Sequence, residues 1–108
     1  MDDDRLLEKI VSRIRQTSRP RRIILFGSRA RGEARPDSDY DVLVIEESDK
    51  PRYQRAAALY SALADLPAEV EILVYTPAEV EEWSAVPEAF ISTAIREGKL
   101  VYESFVHN

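Results

Sequence analysis

Apolar positions along the chain follow two rhythms, and their alternation predicts the order of elements. Leu6, Leu7, Ile10, Val11 and Ile14 recur at helical spacing behind Asp2, Asp3 and Asp4, acids that suit the positive end of a helix dipole, so a first helix is predicted over 3–17. "RIILF" (22–26) is a continuous apolar run ended by Gly27 and reads as a buried strand. Residues 28–32 then form a short helix or turn, and "GEARPDSD" a loop punctuated by Pro36. "DYDVLVIEE" (39–47) is the clearest strand. Tyr53, Ala56, Ala57, Tyr60 and Leu63 predict a core-facing helix over about 51–64, and "VEILVYT" (70–76) a further strand. Thr76, Pro77 and Glu79 have the spacing of a capping box, with Thr at the N-cap and Pro at the first helical position, so a short helix runs from there to about Trp83. Phe90, Ile91, Ala94 and Ile95 mark a last helix stopped at Gly98, and "KLVYESF" a final strand.

This order predicts an α/β (α+β) sandwich: a small mixed β-sheet packed with α-helices. Strand 39–47, helix 51–64 and strand 70–76 make one βαβ unit, so these two strands run parallel. Alternate residues of a strand share a face, which places Asp39, Asp41, Leu43 and Ile45 together and Tyr40, Val42 and Val44 opposite. Strand 70–76 repeats the pattern with Glu69, Glu71, Leu73 and Tyr75. With neighbouring strands ~4.8 Å apart, Asp39, Asp41 and Glu71 converge on one small volume. Glu69 reads as an exposed strand start.

Composition bounds what such a site does. At 108 residues the chain has the length of a single domain, 1–108, with no room for a second substrate-holding domain. With no cysteine, disulfides, thiolate zinc sites and cysteine nucleophiles are excluded. The acidic start "MDDDRLLEKI" is unlike a signal peptide and no apolar run is long enough for a membrane span, so a cytoplasmic location is expected. Residues 1–35 carry ten Arg/Lys against five Asp/Glu, while residues 36–108 carry five against fifteen. Arg13, Arg15, Arg19, Arg21 and Arg22 thus offer an anion-facing patch, though the simpler reading is a solvated helix face and a charged loop. The net charge of −5 argues against general nucleic-acid binding.

Three crowded carboxylates repel one another unless a cation sits among them. Oxygen ligands without His or Cys suit Mg²⁺ or Mn²⁺, and a pair of such ions clamps the attacking and leaving oxygens in phosphoryl transfer. Taken alone, a D-x-D at a strand entrance is more often an exposed start than a metal site. The preceding turn changes that weighting. Gly27 ends a strand and Ser28 opens a helical turn, a geometry whose N–H groups and hydroxyl hold an anion, and a glycine lets phosphate approach the backbone. Neither G-x-x-x-x-G-K-[ST] nor G-x-G-x-x-G is present. Arg29 or Arg31 would add charge-assisted contacts to a triphosphate, or pair with an acid to hold the loop.

The stretch "FGSRARGEARPDSDYDVLVI" closely resembles the signature of the DNA polymerase beta-like nucleotidyltransferase superfamily, G-S, a loop, then D-x-D. It is most similar to the minimal nucleotidyltransferases, with G-S-x-A-R-G at Gly27, Ser28, Ala30, Arg31 and Gly32, and S-D-x-D at Ser38, Asp39 and Asp41. The likeness continues through "VEILVYTPAEV" and "AIREGKLVYES" and so spans most of the chain.

The resemblance implies the nucleotidyltransferase fold and transfer of a nucleoside monophosphate from an NTP to an acceptor hydroxyl, with release of pyrophosphate. It implies that Asp39 and Asp41 bind two Mg²⁺ ions. Gly27 and Ser28, with Arg31 and Ser38 of the same motif, would hold the nucleotide. The third carboxylate would bind the catalytic metal and help deprotonate the acceptor; the family usually has Asp there, and this chain has Glu71. Stand-alone minimal nucleotidyltransferases of this length are often antitoxins that adenylylate a tyrosine of a HEPN-domain ribonuclease toxin with ATP. Two other readings are a module that neutralises its partner by binding alone, with a vestigial metal site, and a nucleotidyltransferase with a small-molecule or nucleic-acid acceptor. Trp83, Phe90 and Tyr102 read as core or partner surface ahead of a base-stacking platform, and His107 as a tail residue without a catalytic role.

Overall fold

The computed structural model describes residues 2–104; His107 lies outside them. The elements follow the predicted order: α1 (Asp2–Thr17), β1 (Arg22–Phe26), β2 (Tyr40–Ile45), a single 3-10 turn (Arg52–Gln54), α2 (Ala57–Leu63), β3 (Val70–Tyr75), α3 (Pro77–Trp83), α4 (Phe90–Glu97) and β4 (Lys99–Glu103). The strands form one mixed sheet in the order β3-β2-β1-β4. β2 and β3 are parallel, whereas β1 pairs antiparallel with both β2 and β4.

The period-two pattern of β2 divides the core between the two faces of the sheet. Tyr40, Val42 and Val44 join Ile23, Leu25, Ile72 and Val74 under α1 and α2, where Ile10, Ile14, Leu59 and Leu63 are buried. Leu43 and Ile45 turn the other way and join Ile24, Phe26, Ile91 and Ala94 beneath α4. Burying an aliphatic side chain of this size contributes about 1.5–3 kcal/mol. A one-residue slip of β2 would exchange its two faces, so the packing on both sides fixes its register.

One predicted element is corrected. The helix expected over 51–64 is broken: a 3-10 turn precedes α2, which starts at Ala57 with Ala56 as an N-cap that offers no side-chain bond. Between them Arg55 reaches across to the Lys50 and Val74 carbonyls and to both carboxylate oxygens of Glu79, which holds this segment against β3 and α3. Tyr53, expected in the core, is 84% exposed; Tyr60 is half exposed, and its hydroxyl accepts the Ile72 N–H at 2.8 Å. The capping box of α3 forms as predicted, with Thr76 Oγ1 accepting from the Glu79 N–H and the Glu79 carboxylate accepting from the Thr76 N–H.

At the end of α4, Gly98 is needed for close approach. A Cβ there would lie 2.6 Å from Ile24 Cγ2 and 2.8 Å from the Leu25 carbonyl oxygen, so only glycine lets the chain turn from α4 into β4 hard against β1. Among the described residues no helix is long and apolar enough to cross a membrane.

Candidate active site

β1 runs into a tight turn because Gly27 adopts φ +76°, a left-handed conformation that side chains disfavour. The N–H groups of Ala30 and Arg31 both donate to the Gly27 carbonyl, at 3.1 and 3.2 Å, and the Glu33 N–H donates to the Ser28 carbonyl at 2.9 Å. Of the two forms open to residues 28–32, the structure takes the turn.

The strand register then builds the site. Phe26 pairs with Asp41 across the antiparallel β1/β2 ladder, and Asp41 pairs with Glu71 across the parallel β2/β3 ladder. Glu71, Asp41 and Phe26 therefore stand in one row across the sheet, at the edge where the apolar face of Leu43 and Ile45 gives way to acid. Gly27 abuts this row: a Cβ built on it would collide with Oδ2 of Asp41 and lie 3.1 Å from its Cγ. The phosphate-binding turn expected from the sequence and its central carboxylate are thus in direct contact.

Burial pushes the Asp41 carboxyl above the usual carboxylate range, and the negative charges of Glu71 and Asp39 push it further; Arg31 acts in the opposite direction. Asp39 and Glu71 are exposed. The convergence predicted from the sequence is met for Asp41 and Glu71. It is not met as a closed cage, since no three acids among the described residues are close enough to hold one ion. Asp39 precedes the strand: the first ladder bond here is made by the Tyr40 N–H to the Glu69 carbonyl at 2.9 Å, which leaves Asp39 on the loop side. The chemistry of the donors still fits a hard divalent cation. They are oxygens only, they bear excess negative charge, and the most buried of them is destabilised as an anion until a cation arrives.

The loop that delivers Asp39 is held by Arg29. Its guanidinium lies 4.0 Å from the centroid of the Tyr40 ring and donates to the carbonyls of Ser38, at 2.7 Å, and Pro36, at 3.3 Å. Ser38 closes the loop from within, its Oγ accepting the Arg35 N–H at 2.8 Å and its own N–H donating to the Arg35 carbonyl. Tyr40, only 2% exposed, faces away from the acids as predicted. A cleft of about 670 Å³ lined by Arg29, Ser38, Tyr40, Tyr60 and Val70 opens on the α1/α2 side. It shares the loop but is not lined by Asp39, Asp41 or Glu71.

The polymerase beta nucleotidyltransferase family matches residues 8–105, from α1 past the end of β4. The chain belongs to this family. Members generally use an NTP and a divalent metal, and the mixed four-stranded sheet packed with helices matches the nucleotidyltransferase fold. A structure of an inferred nucleotidyltransferase from Sulfolobus solfataricus superposes with a TM-score of 0.65 over 92% of this chain and 78% of that one, at 19% identity. A chain of a toxin-antitoxin complex solved with AMP-PNP superposes with a TM-score of 0.54 over 91% of this chain and 73% of that one, at 24% identity. No curated protein sequence matches significantly.

Within this nucleotidyltransferase domain several arginines have structural partners. Arg31 pairs with Glu33 at 2.9 Å, and its charge also feels Glu97 and Asp41. Three of the five arginines of the expected anion-facing patch are engaged with other groups. Arg13 makes a two-pronged pair with Asp65 at 2.6 and 3.0 Å, Arg21 pairs with Glu47 at 3.0 Å, and Arg15 lies over the Tyr102 ring. The loop-holding role of Arg29 was not separable from phosphate binding in the sequence, because its acceptors are backbone carbonyls, which leave no signature in residue type. Nor did the sequence reveal that Phe26 pairs with Asp41 and carries the Phe90 ring against it.

Proposed function

We propose that this chain transfers AMP from ATP to a tyrosine hydroxyl of a HEPN-domain ribonuclease toxin and so acts as its antitoxin. The observation that carries the reading is the contact between the Gly27 turn and the Asp41 carboxylate, with Glu71 beside it in register. Read as an anion-binding turn, the Gly27 backbone would hold a triphosphate next to the acidic oxygens, as transfer from it requires.

In this reading Gly27 and Ser28 receive the β- and γ-phosphates, with Arg31 exchanging Glu33 for phosphate, and Ser38 keeps Asp39 at the mouth of the site. Asp39, Asp41 and Glu71 would hold two Mg²⁺ ions, which when bound neutralise the triphosphate and lower the proton affinity of the acceptor hydroxyl. The acceptor oxygen attacks the α-phosphorus, a P–O bond forms, the bond to the bridging oxygen breaks and pyrophosphate leaves. The hydroxyl proton passes to the Glu71 carboxylate, which is exposed and so open to an acceptor from another chain. The fold neighbour is a toxin-antitoxin structure with AMP-PNP, which supports an adenine nucleotide and a protein partner for this reading.

The test is to incubate the protein with Mg²⁺, ATP labelled at the α-phosphate and a co-expressed HEPN partner, and to read label and intact mass on the partner. A gain of AMP units that is lost in the Asp39→Asn/Asp41→Asn protein is the expected result. A stable complex without transfer from any NTP would replace this reading with neutralisation by binding alone.

A further inference from the structure

Phe90 is 57% exposed although it starts a helix whose next residue, Ile91, is 3% exposed in the core beneath the sheet. Its ring meets Phe26 edge to face, centroids 5.6 Å apart and planes at 80°. Phe26, 8% exposed, is the residue that precedes Gly27 and pairs with Asp41. An exposed aromatic is common on a protein surface and by itself means nothing. This one is distinguished by its place, because the same row that holds Glu71 and Asp41 ends under its ring.

We infer that Phe90 is the stacking platform for the base of the nucleoside triphosphate, a binding role that deepens the nucleotidyltransferase reading and rests on it. Adjacent strands lie ~4.8 Å apart, so the Phe90 ring stands on the order of 10 Å from the Asp41 carboxylate, one strand spacing and one ring contact away. A nucleotide whose triphosphate lies along Gly27 and Ser28 presents its base one ribose away from the α-phosphate, and a span of this size suits it. The ring is already positioned: Phe26 supports it, and Ala89 and Ile91 on either side pack into the same core, so little side-chain freedom is lost when a base arrives. Stacking on a π face accepts every base, so the platform gives affinity with weak base selectivity, purines ahead of pyrimidines.

Calorimetric titration of the full chain in Mg²⁺ buffer with ATP and with inorganic tripolyphosphate tests this. Phe90→Leu keeps an apolar contact for Phe26 and removes the π face; Phe90→Trp restores it; thermal midpoints report folding. We expect Phe90→Leu to weaken ATP roughly five- to 100-fold and leave tripolyphosphate within twofold, with Phe90→Trp near wild type. Equal ATP affinity in wild type and a folded Phe90→Leu protein would overturn the platform. If Phe90→Leu also lost its acceptor protein, Phe90 would belong to that interface instead. Equal weakening of ATP and tripolyphosphate would overturn it too, since the loss would then lie in the phosphate turn. Wild-type protein that bound neither ligand would overturn the nucleotide site itself, an outcome distinct from the others.

Discussion

Gly27 lies so close to the Asp41 carboxylate that any side chain there would displace it: its φ is +76°, and a Cβ would collide with Asp41 Oδ2. The same glycine serves the turn and the acid. Gly32, at φ +74°, has nothing within 4 Å of its would-be Cβ and serves the turn alone.

Gly27→Ala should therefore lose both stability and nucleotide binding. The left-handed backbone alone costs about 1–2 kcal/mol, and displacement of Asp41 adds to it. At about 4–8 °C per kcal/mol for a domain near this size, the thermal midpoint falls by roughly 5–15 °C. Gly32→Ala should show only the backbone cost, with ATP affinity kept. Equal ATP affinity in all three proteins would mean that Gly27 does not shape the site.

Asp41→Asn should raise the thermal midpoint while abolishing transfer, since it removes a half-buried charge that Glu71 and Asp39 repel. Mg²⁺ should stabilise the wild type and leave this variant unmoved, because a ligand stabilises only the state that binds it. Identical Mg²⁺ shifts in the two proteins would remove Asp41 from the metal site.

Shortening Glu71 tests the departure from the Asp usual at this position. Glu71→Asp withdraws its carboxylate by one methylene from a site whose register with Asp41 is already set by the ladder. A 1 Å misplacement costs as much as ~100-fold in rate, so single-turnover transfer should fall by at least about tenfold with ATP affinity little changed. A faster variant would mean that the longer side chain is a compromise.

The pair between Arg55 and Glu79 should give the fold an acid-sensitive tie. The Arg55 guanidinium, at 2.7 and 3.1 Å, is the chief cause that holds the Glu79 carboxyl below its ordinary value of 4.5, with the Thr76 N–H assisting. A carboxyl depressed on folding adds stability that is fully present above its unfolded value and is lost as pH falls through the lower folded one. Glu79→Gln should cost about 2 kcal/mol at pH 7 and progressively less below pH 4.5. Urea midpoints measured across pH 3–7 would sink the assignment if the difference between the proteins stayed constant.

The sequence by itself determined most of the local elements and the nucleotidyltransferase family. Period-two alternation in 40–45 separated Tyr40, Val42 and Val44 from Asp41, Leu43 and Ile45, and the capping box at Thr76 and Glu79 was legible because both its bonds lie within one turn. Which residues meet across the sheet was decided only by the tertiary structure. Side-chain to carbonyl bonds such as Arg29 to Ser38, ion pairs such as Arg13 to Asp65, and the stack of Phe90 on Phe26 join positions that are distant in the chain. Their partners have no fixed sequence offset, so no pattern along the chain announces them. The break ahead of α2 has the same origin, since Arg55 is held by Glu79 of another helix. The Gly27 turn and its glycine were readable as local backbone geometry; that this turn lies against Asp41 follows from the β1/β2 register, which only packing on both faces of the sheet sets.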